Sequence, residues 1–213
     1  MKSNLKGLFP ALVLLALVSQ AGTAMCAIEI NEVMADPNQD WDGSGDYSFR
    51  DDEWVEILNP GPGTEDLGGF FLADEHGGPV FGFEGSLAPG EIRLVFGSDA
   101  AAWESANGES ATGLRLGNSG DTVTLWQAVT GDSVLVDAYT FSDDEAEDDR
   151  SSGRLPDGGS VWALFDGLNP YTGSGMPTGT GLLPTPGTPN GEEVPTPVTR
   201  STWGEIKTLF RQH

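Results

Sequence analysis

The chain has one cysteine, Cys26, and two histidines, His76 and His213, among its 213 residues. A single cysteine excludes an intrachain disulfide, and no His or Cys cluster has the spacing of a zinc site. Bases are nearly as scarce, with 10 Lys and Arg against 33 Asp and Glu and a formal net charge of −23. Between Gly7 and Thr199 the only bases are Arg50, Arg93, Arg115, Arg150 and Arg154. So acidic a surface excludes direct binding to a phosphate backbone, and no nucleic acid is expected among the partners. It suits solubility outside the cell, with cations as counter-ions. No Gly-rich phosphate loop runs from a strand into a helix. Helical periodicity is missing too: between Ile28 and Asn190 only 99–105 has the look of a helical turn.

What is present begins with an export signal. Lys2 and Lys6 precede the apolar run LFPALVLLALV at 8–18, which is too short to span a bilayer as a mature helix, and small residues follow. Residues 1–24 therefore read as a secretory signal helix cut after Ala24. A cut after Ala27 is less favoured because it puts bulky Met25 at the minus-three position. A lipid anchor on Cys26 is also less favoured, because Thr23-Ala24-Met25 lacks the Leu and the small residue expected before a lipidated cysteine. The expected location is secreted or cell-surface.

The mature chain is organised around DDEWVEILN at 51–59. Trp54, Val55, Ile57 and Leu58 suit a central strand, Glu53 and Glu56 flank the apolar positions, and Asn59-Pro60-Gly61 ends the run with turn chemistry. Strand signals recur at 28–34, 69–73, 80–83, 92–96, 114–116, 122–126, 134–141 and 160–164, with Gly, Pro, Asn and Asp between them. With 53–58 that makes nine short strands and predicts an all-β antiparallel sandwich.

The segments INEVMADP, DDEWVEILN, DLGGFFL, LAPGE, LGNSGDTVTLW, SSGRLPDGGSVW and TPGTPN follow one another in the order and spacing of the lamin-tail domain. The chain resembles that family over 28–191. The resemblance implies an immunoglobulin-like antiparallel β-sandwich of about nine strands, of the kind known from nuclear lamins and from secreted or surface bacterial proteins. It also implies that Trp54, Leu67, Phe70, Leu72, Leu125 and Trp162 are core and that Arg154, just before the Pro156-Asp157-Gly158 turn, is structural. It does not imply lamin function, since the chain has no coiled-coil rod.

The sharpest chemical motif is the insert NQDWDGSGD at 38–46. Numbered as a calcium loop, Asn38, Asp40 and Asp42 fall at positions 1, 3 and 5, Gly43 at 6, Ser44 at 7 and Asp46 at 9. Alternate side chains then point inward, and Gly43 permits the sharp turn that a hard cation demands. Position 12 is Phe49 where the full motif has a bidentate Glu; Asp51 or Asp52 replaces it only if the loop leaves EF-hand geometry after Asp46. Similar inserts are common in bacterial members of the family it resembles. Asn38, Asp40, Asp42, Ser44 and Asp46 are therefore the expected calcium ligands, against the competing reading of a solvated acidic turn. The second acidic run, SDDEAEDDR at 142–150, lacks glycine and alternate spacing and reads as a repelling, solvated loop, with Arg150 pairing its acids or the Asp157 turn.

Catalysis has little to rest on. A Ser-His-Asp site would have to use His76 with Asp74 or Asp99, and a glycosidase would need a carboxylate pair; abundance alone supplies both, so no catalytic residue is assigned. The favoured reading is a non-catalytic extracellular or surface module for protein interaction or envelope structure, with a protein or another envelope component as partner. The alternative is a carbohydrate-binding module, with Trp41, Trp103 or Trp126 as platforms for a polysaccharide. Trp41 and Trp103 are expected at the surface and Trp126 in the core beside Val123 and Leu125.

From Gly173 to Pro197 the chain is rich in Gly, Pro and Thr and reads as extended or mobile, with the domain closing near Asn190 and a linker at 192–200. Residues 201–213, STWGEIKTLFRQH, then read as a short amphipathic helix. Thr202 and Glu205 form a capping box, and Trp203, Ile206 and Phe210 share a face with Leu209 beside it. With Arg200, Lys207 and Arg211 this basic, aromatic helix suits a sorting or attachment signal.

Overall fold

The structure is a computed structural model that describes residues 28–73 and 78–191. The signal helix, Cys26, Asp74, His76, the 192–200 linker and the 201–213 helix, including His213, lie outside the described residues.

Among the described residues there are eleven strands: β1 (Glu29–Met34), β2 (Trp54–Leu58), β3 (Glu65–Asp66), β4 (Phe70–Ala73), β5 (Pro79–Gly82), β6 (Ser86–Leu87), β7 (Ile92–Phe96), β8 (Gly120–Val129), β9 (Asp132–Ser142), β10 (Ser151–Arg154) and β11 (Trp162–Phe165). One helix, α1 (Gly97–Ala106), follows β7. Five strands form one sheet in the order β11-β10-β1-β2-β7, four form another in the order β5-β4-β8-β9, and β3 pairs with β6. Every pairing between these strands is antiparallel.

The core lies between the two larger sheets, as period-two alternation requires. Val33, Val55 and Val95 share one face of the first sheet by register and pack with Phe70, Leu72, Val123, Leu125 and Phe141 of the second. Trp54, Leu67, Phe70, Leu72 and Leu125 are buried as expected. Trp162 is half-buried at the rim, stacked on Tyr139 with centroids 3.5 Å apart.

The sandwich is the predicted one, with local differences. β2 lies one place from the centre of its sheet, which β1 occupies. Residues 114–116 are not a strand. The amides of Thr112 and Gly113 donate to the Glu104 carboxylate, that of Leu116 to Glu53 and that of Gly117 to Asp121, so side chains take the place of a neighbouring strand. β10 was missed because SSGR has no apolar residue. Its small side chains are a packing requirement: a Cβ on Gly153 would lie 2.4 Å from the Phe165 ring and 2.8 Å from the Asn190 amide nitrogen. The turn expected at 99–105 is a three-turn helix whose first residue, Gly97, packs so tightly on the Arg50 carbonyl that a Cβ would sit 1.8 Å from it.

Two covers close the outer face of the five-stranded sheet, one read from sequence as a calcium loop and the other as an extended or mobile stretch. The insert after β1 lays Trp41 against Trp54 at 6.3 Å. Residues 184–191 lie over Glu32 and Glu56, two strand-paired carboxyls that are fully buried.

Candidate functional site

The insert is built around Asp52. Its Oδ1 accepts the amides of Trp41 (2.7 Å) and Asp42 (2.9 Å), and its Oδ2 accepts that of Ser48 (2.8 Å). Asp52 is completely buried, so these three donors replace its water. The loop is bent around it, with Gly43 at φ +73°, the Ser44 amide on Asp42 Oδ1 and the Gly45 amide on Asp40 Oδ2. One carboxylate oxygen from each of Asp40, Asp42 and Asp52 lies within 4.8 Å of the others. Burial works to raise the Asp42 carboxyl, but the Ser44 amide and the Ser98 and Ser44 hydroxyls together hold it below its ordinary value.

The five ligands expected from sequence are therefore not brought together as a set. Asp40 and Asp42 meet, and Asp52 joins them because the loop departs from EF-hand geometry. Asn38 turns away, its amide nitrogen donating to Asp148 Oδ2 (3.1 Å) and its backbone amide to Asp149 Oδ1 (2.9 Å). The Ser44 hydroxyl donates to the Asp46 carbonyl at 3.0 Å.

The run at 142–150 is a clamp as well as a solvated loop: Asp143, Asp144, Glu147 and Asp148 are exposed, while Glu145 and Arg150 are buried. Asp149 also accepts the Trp41 indole N–H at 2.8 Å, which pins the insert from the other side. Glu145 is buried and accepts the Tyr139 hydroxyl, the Ser152 hydroxyl (2.8 Å) and the Ser142 amide (2.8 Å). Arg150 donates to the carbonyls of Asn169 (2.7 Å) and Asp144 (2.9 Å), with no carboxylate among its hydrogen-bond partners in the described residues. Arg154 is structural as expected: it reaches the Ile30 carbonyl (2.7 Å), the Gly159 carbonyl (2.7 Å) and Asp137 Oδ2 (2.9 Å), and lies over the Trp162 ring.

The tryptophans differ from their expected exposure. Trp41 and Trp103 are half-covered, Trp41 by Trp54 and Trp103 by the Gly82 backbone. Trp126 is not core. It is out of phase with Val123 and Leu125, a register irregularity follows Leu125, and its ring lies on the outside of the four-stranded sheet, 8° from parallel to Phe71.

The polar cluster under residues 184–191 went unread in the sequence. The Asn190 amide nitrogen faces two carbonyls, Arg154 (2.9 Å) and Asn31 (3.4 Å), so its Oδ1 must face the Thr185 hydroxyl, 2.7 Å away. That hydroxyl has one proton to give. The same hydroxyl lies 2.6 Å from Glu32 Oε2, so its one proton serves two acceptors, and a protonated Glu32 would supply the second. Burial pushes Glu32 to about 7 against the hydrogen bonds of Ser151 and Thr185. Burial likewise pushes Glu56 to about 8, with Asn31 and Gly187 bonded to it and the Glu32 charge nearby.

A cavity of about 320 Å³ opens beside the insert, lined by Phe49, Arg50, Glu53, Arg115, Leu116, Gly117 and Asn118. Arg115 holds a left-handed backbone, φ +59°. Burial pushes the Glu53 carboxyl to about 8.

A family model described as Lamin Tail Domain matches residues 21–143, more than half of the chain. The family is a non-enzymatic, immunoglobulin-like interaction module. No curated protein and no solved structure matches the chain. β10, β11 and the 184–191 cover lie beyond the matched residues, yet β10 pairs directly with β1.

Proposed function

The chain belongs to the lamin tail domain family, and from that premise we propose that it is a non-catalytic module working outside the cell, secreted or held at the surface, where it binds a protein or another envelope component. The family match carries this reading, and the pattern of Lys2, Lys6 and the apolar run at 8–18 supports export. Crosslinking the purified chain to an envelope fraction is expected to give a discrete, saturable protein adduct. Deleting residues 200–213 is expected to shift the chain from the envelope to the medium without changing its melting temperature. Recovery of the full chain in the cytoplasm would overturn the export reading.

The insert is proposed to be stiffened by calcium held between Asp40, Asp42 and Asp52. The convergence of the three carboxylates supports this, and a hard cation would offset their mutual repulsion. Binding to the folded state alone would add about 2.7 kcal/mol at a hundredfold excess over Kd, or roughly 5–11 °C in melting temperature. An unchanged melting curve in EDTA, with no heat on calcium titration, would remove calcium from the account.

The near-parallel Phe71 and Trp126 rings favour a second reading, a carbohydrate platform. A glycan array showing binding that Trp126→Ala abolishes would move the assignment there.

A further inference from the structure

On the four-stranded sheet, the positions of β4, β5, β8 and β9 that point away from the core are all uncharged, in a chain of net charge −23. Register sets Leu135, Trp126, Phe71 and Gly82 side by side on that outer face, one from each strand in the order β9, β8, β4, β5. Gly82 has no side chain to offer, and the Trp103 indole fills its place: a Cβ on Gly82 would lie 2.9 Å from that ring. Three strand spacings make the row from Leu135 to Trp103 about 14 Å long. We propose that this row binds an extended, uncharged β-1,4-linked glycan laid across the strands, with Trp126 and Trp103 as its two stacking platforms. The proposal rests on the carbohydrate reading above and names the ligand's charge, shape and path.

Charge selects the class of ligand. An anionic glycan would meet the field of 33 acids against 10 bases and find no base among the outward positions. A basic protein surface drawn in by that field would find no carboxylate among them. An uncharged sugar meets neither obstacle, since its C–H face stacks on the negative face of an aromatic ring while its hydroxyls bond to polar neighbours. The platform is also fixed in advance. The Trp126 indole N–H donates to the Thr124 hydroxyl (2.8 Å), which donates to the Ala73 carbonyl (2.9 Å), so the polar edge of the indole is satisfied within the sheet. Its ring is held 8° from parallel to Phe71, with centroids 6.5 Å apart. Parallel flat rings match the flat faces of an all-equatorial chain. Polar groups stand beside the rings in two hollows: one of about 410 Å³ lined in part by Phe71, Thr124, Trp126 and Ser133, and one of about 340 Å³ lined in part by Phe71, Trp103 and Asn107. Phe71 is common to both, so the two hollows follow one row. At the β9 end Leu135 is 48% exposed.

The test is calorimetric titration of the full chain with cellohexaose and chitohexaose, with their disaccharides, and with hexagalacturonate as the anionic control. The variants are Trp103→Ala and Leu135→Asp at the two ends of the row, with Leu168→Asp, an exposed position in the loop after β11, as the control outside it. At least one of the two uncharged hexasaccharides is expected to bind, at least about tenfold more tightly than its disaccharide, because only the longer chain reaches both platforms. Either end variant is expected to weaken that binding at least about tenfold, with Leu168→Asp unchanged and with little dependence on salt. Melting curves show that each variant is folded, and Leu135→Asp, at an exposed position, serves if Trp103→Ala is not. No binding of either uncharged hexasaccharide, equal affinity for hexasaccharide and disaccharide, or tighter binding of hexagalacturonate overturns the proposal. A wild type that sediments as a dimer, split by Leu135→Asp, would show that a second copy covers the face, and the proposal fails. If a glycan array gives binding that Trp126→Ala abolishes and both end variants retain, the row proposal fails and the carbohydrate reading stands. If the array shows no binding to the wild type, the carbohydrate reading itself fails.

Discussion

Raising the pH from 5 to 9 is expected to destabilise the folded chain by on the order of 5 kcal/mol, with most of the loss between about pH 5 and 8. Glu32 and Glu56 face each other across β1 and β2, fully buried, with carboxyls pushed to about 7 and about 8 from an ordinary 4.5. Between the ordinary value and the raised ones the native state holds protons that the unfolded chain has released. Stability therefore falls as pH rises: the contribution is complete below about 4.5 and is lost as pH climbs through 7 and 8. The Thr185 hydroxyl points the same way: it has one proton for two acceptors, Glu32 Oε2 and Asn190 Oδ1, and a protonated Glu32 meets the shortage. Thermal melts at fixed calcium across this range test it. The double variant Glu32→Gln, Glu56→Gln should have a flatter pH profile, its remaining slope coming from Glu53, which burial also pushes to about 8, and exceed the wild type at pH 9. A wild-type melting temperature that is level or rising from pH 5 to 9 would mean that the two carboxyls are buried as anions.

The sandwich was legible because alternation in 28–34, 53–58 and 122–126 reports burial on one face, and one face is what a packed sheet specifies. The other face of the five-stranded sheet was not. Trp54, Glu56 and Leu58 alternate with Val55 and Ile57, which suggests an outer face in which Glu56 meets solvent; that face is instead covered, at Trp54 by the insert and at Glu56 by chain from more than a hundred residues away. A Gly/Pro/Thr-rich stretch such as TPGTPN carries no periodicity, so nothing local shows that Thr185 and Asn190 are buried. The acidic run at 142–150 failed for the same reason. Composition reported its charge but not its partners, since Asp148 and Asp149 act on Asn38 and Trp41 about 110 residues away. A signal was available for the calcium loop: the same reading that placed Asp40 and Asp42 noted Asp52 as a replacement for the missing position 12. What spacing did not reveal is that a buried Asp52 would organise the loop from its centre and leave Asn38 to the clamp.

Thr185→Val is expected to cost about 3 kcal/mol, while Thr185→Ser stays within about 1 kcal/mol of the wild type. Valine keeps the shape and removes the hydroxyl, so any loss reports the hydrogen bonds and not a cavity. Two buried groups are orphaned at once: Glu32 Oε2, 2.6 Å from the hydroxyl, and Asn190 Oδ1, 2.7 Å from it. Each buried polar group left without a partner costs about 1–3 kcal/mol, and the pair shares one network, so the sum falls short of simple addition. The loss should also spread. Asn190 ties residues 184–191 to the Arg154 carbonyl and to Asp157, so loosening it lifts the cover from Glu56 as well as Glu32. Hydrogen exchange at the Gly187 and Asn190 amides should then quicken in Thr185→Val before exchange in β1 and β2 does. Water reaching the two carboxyls would lower their proton affinity, so the steep part of the pH profile should also move toward lower pH. A Thr185→Val chain as stable as the wild type, with its pH profile unmoved, would show that the cover is held by packing alone and that the proton chain from Glu32 through Thr185 to Asn190 has no energetic role.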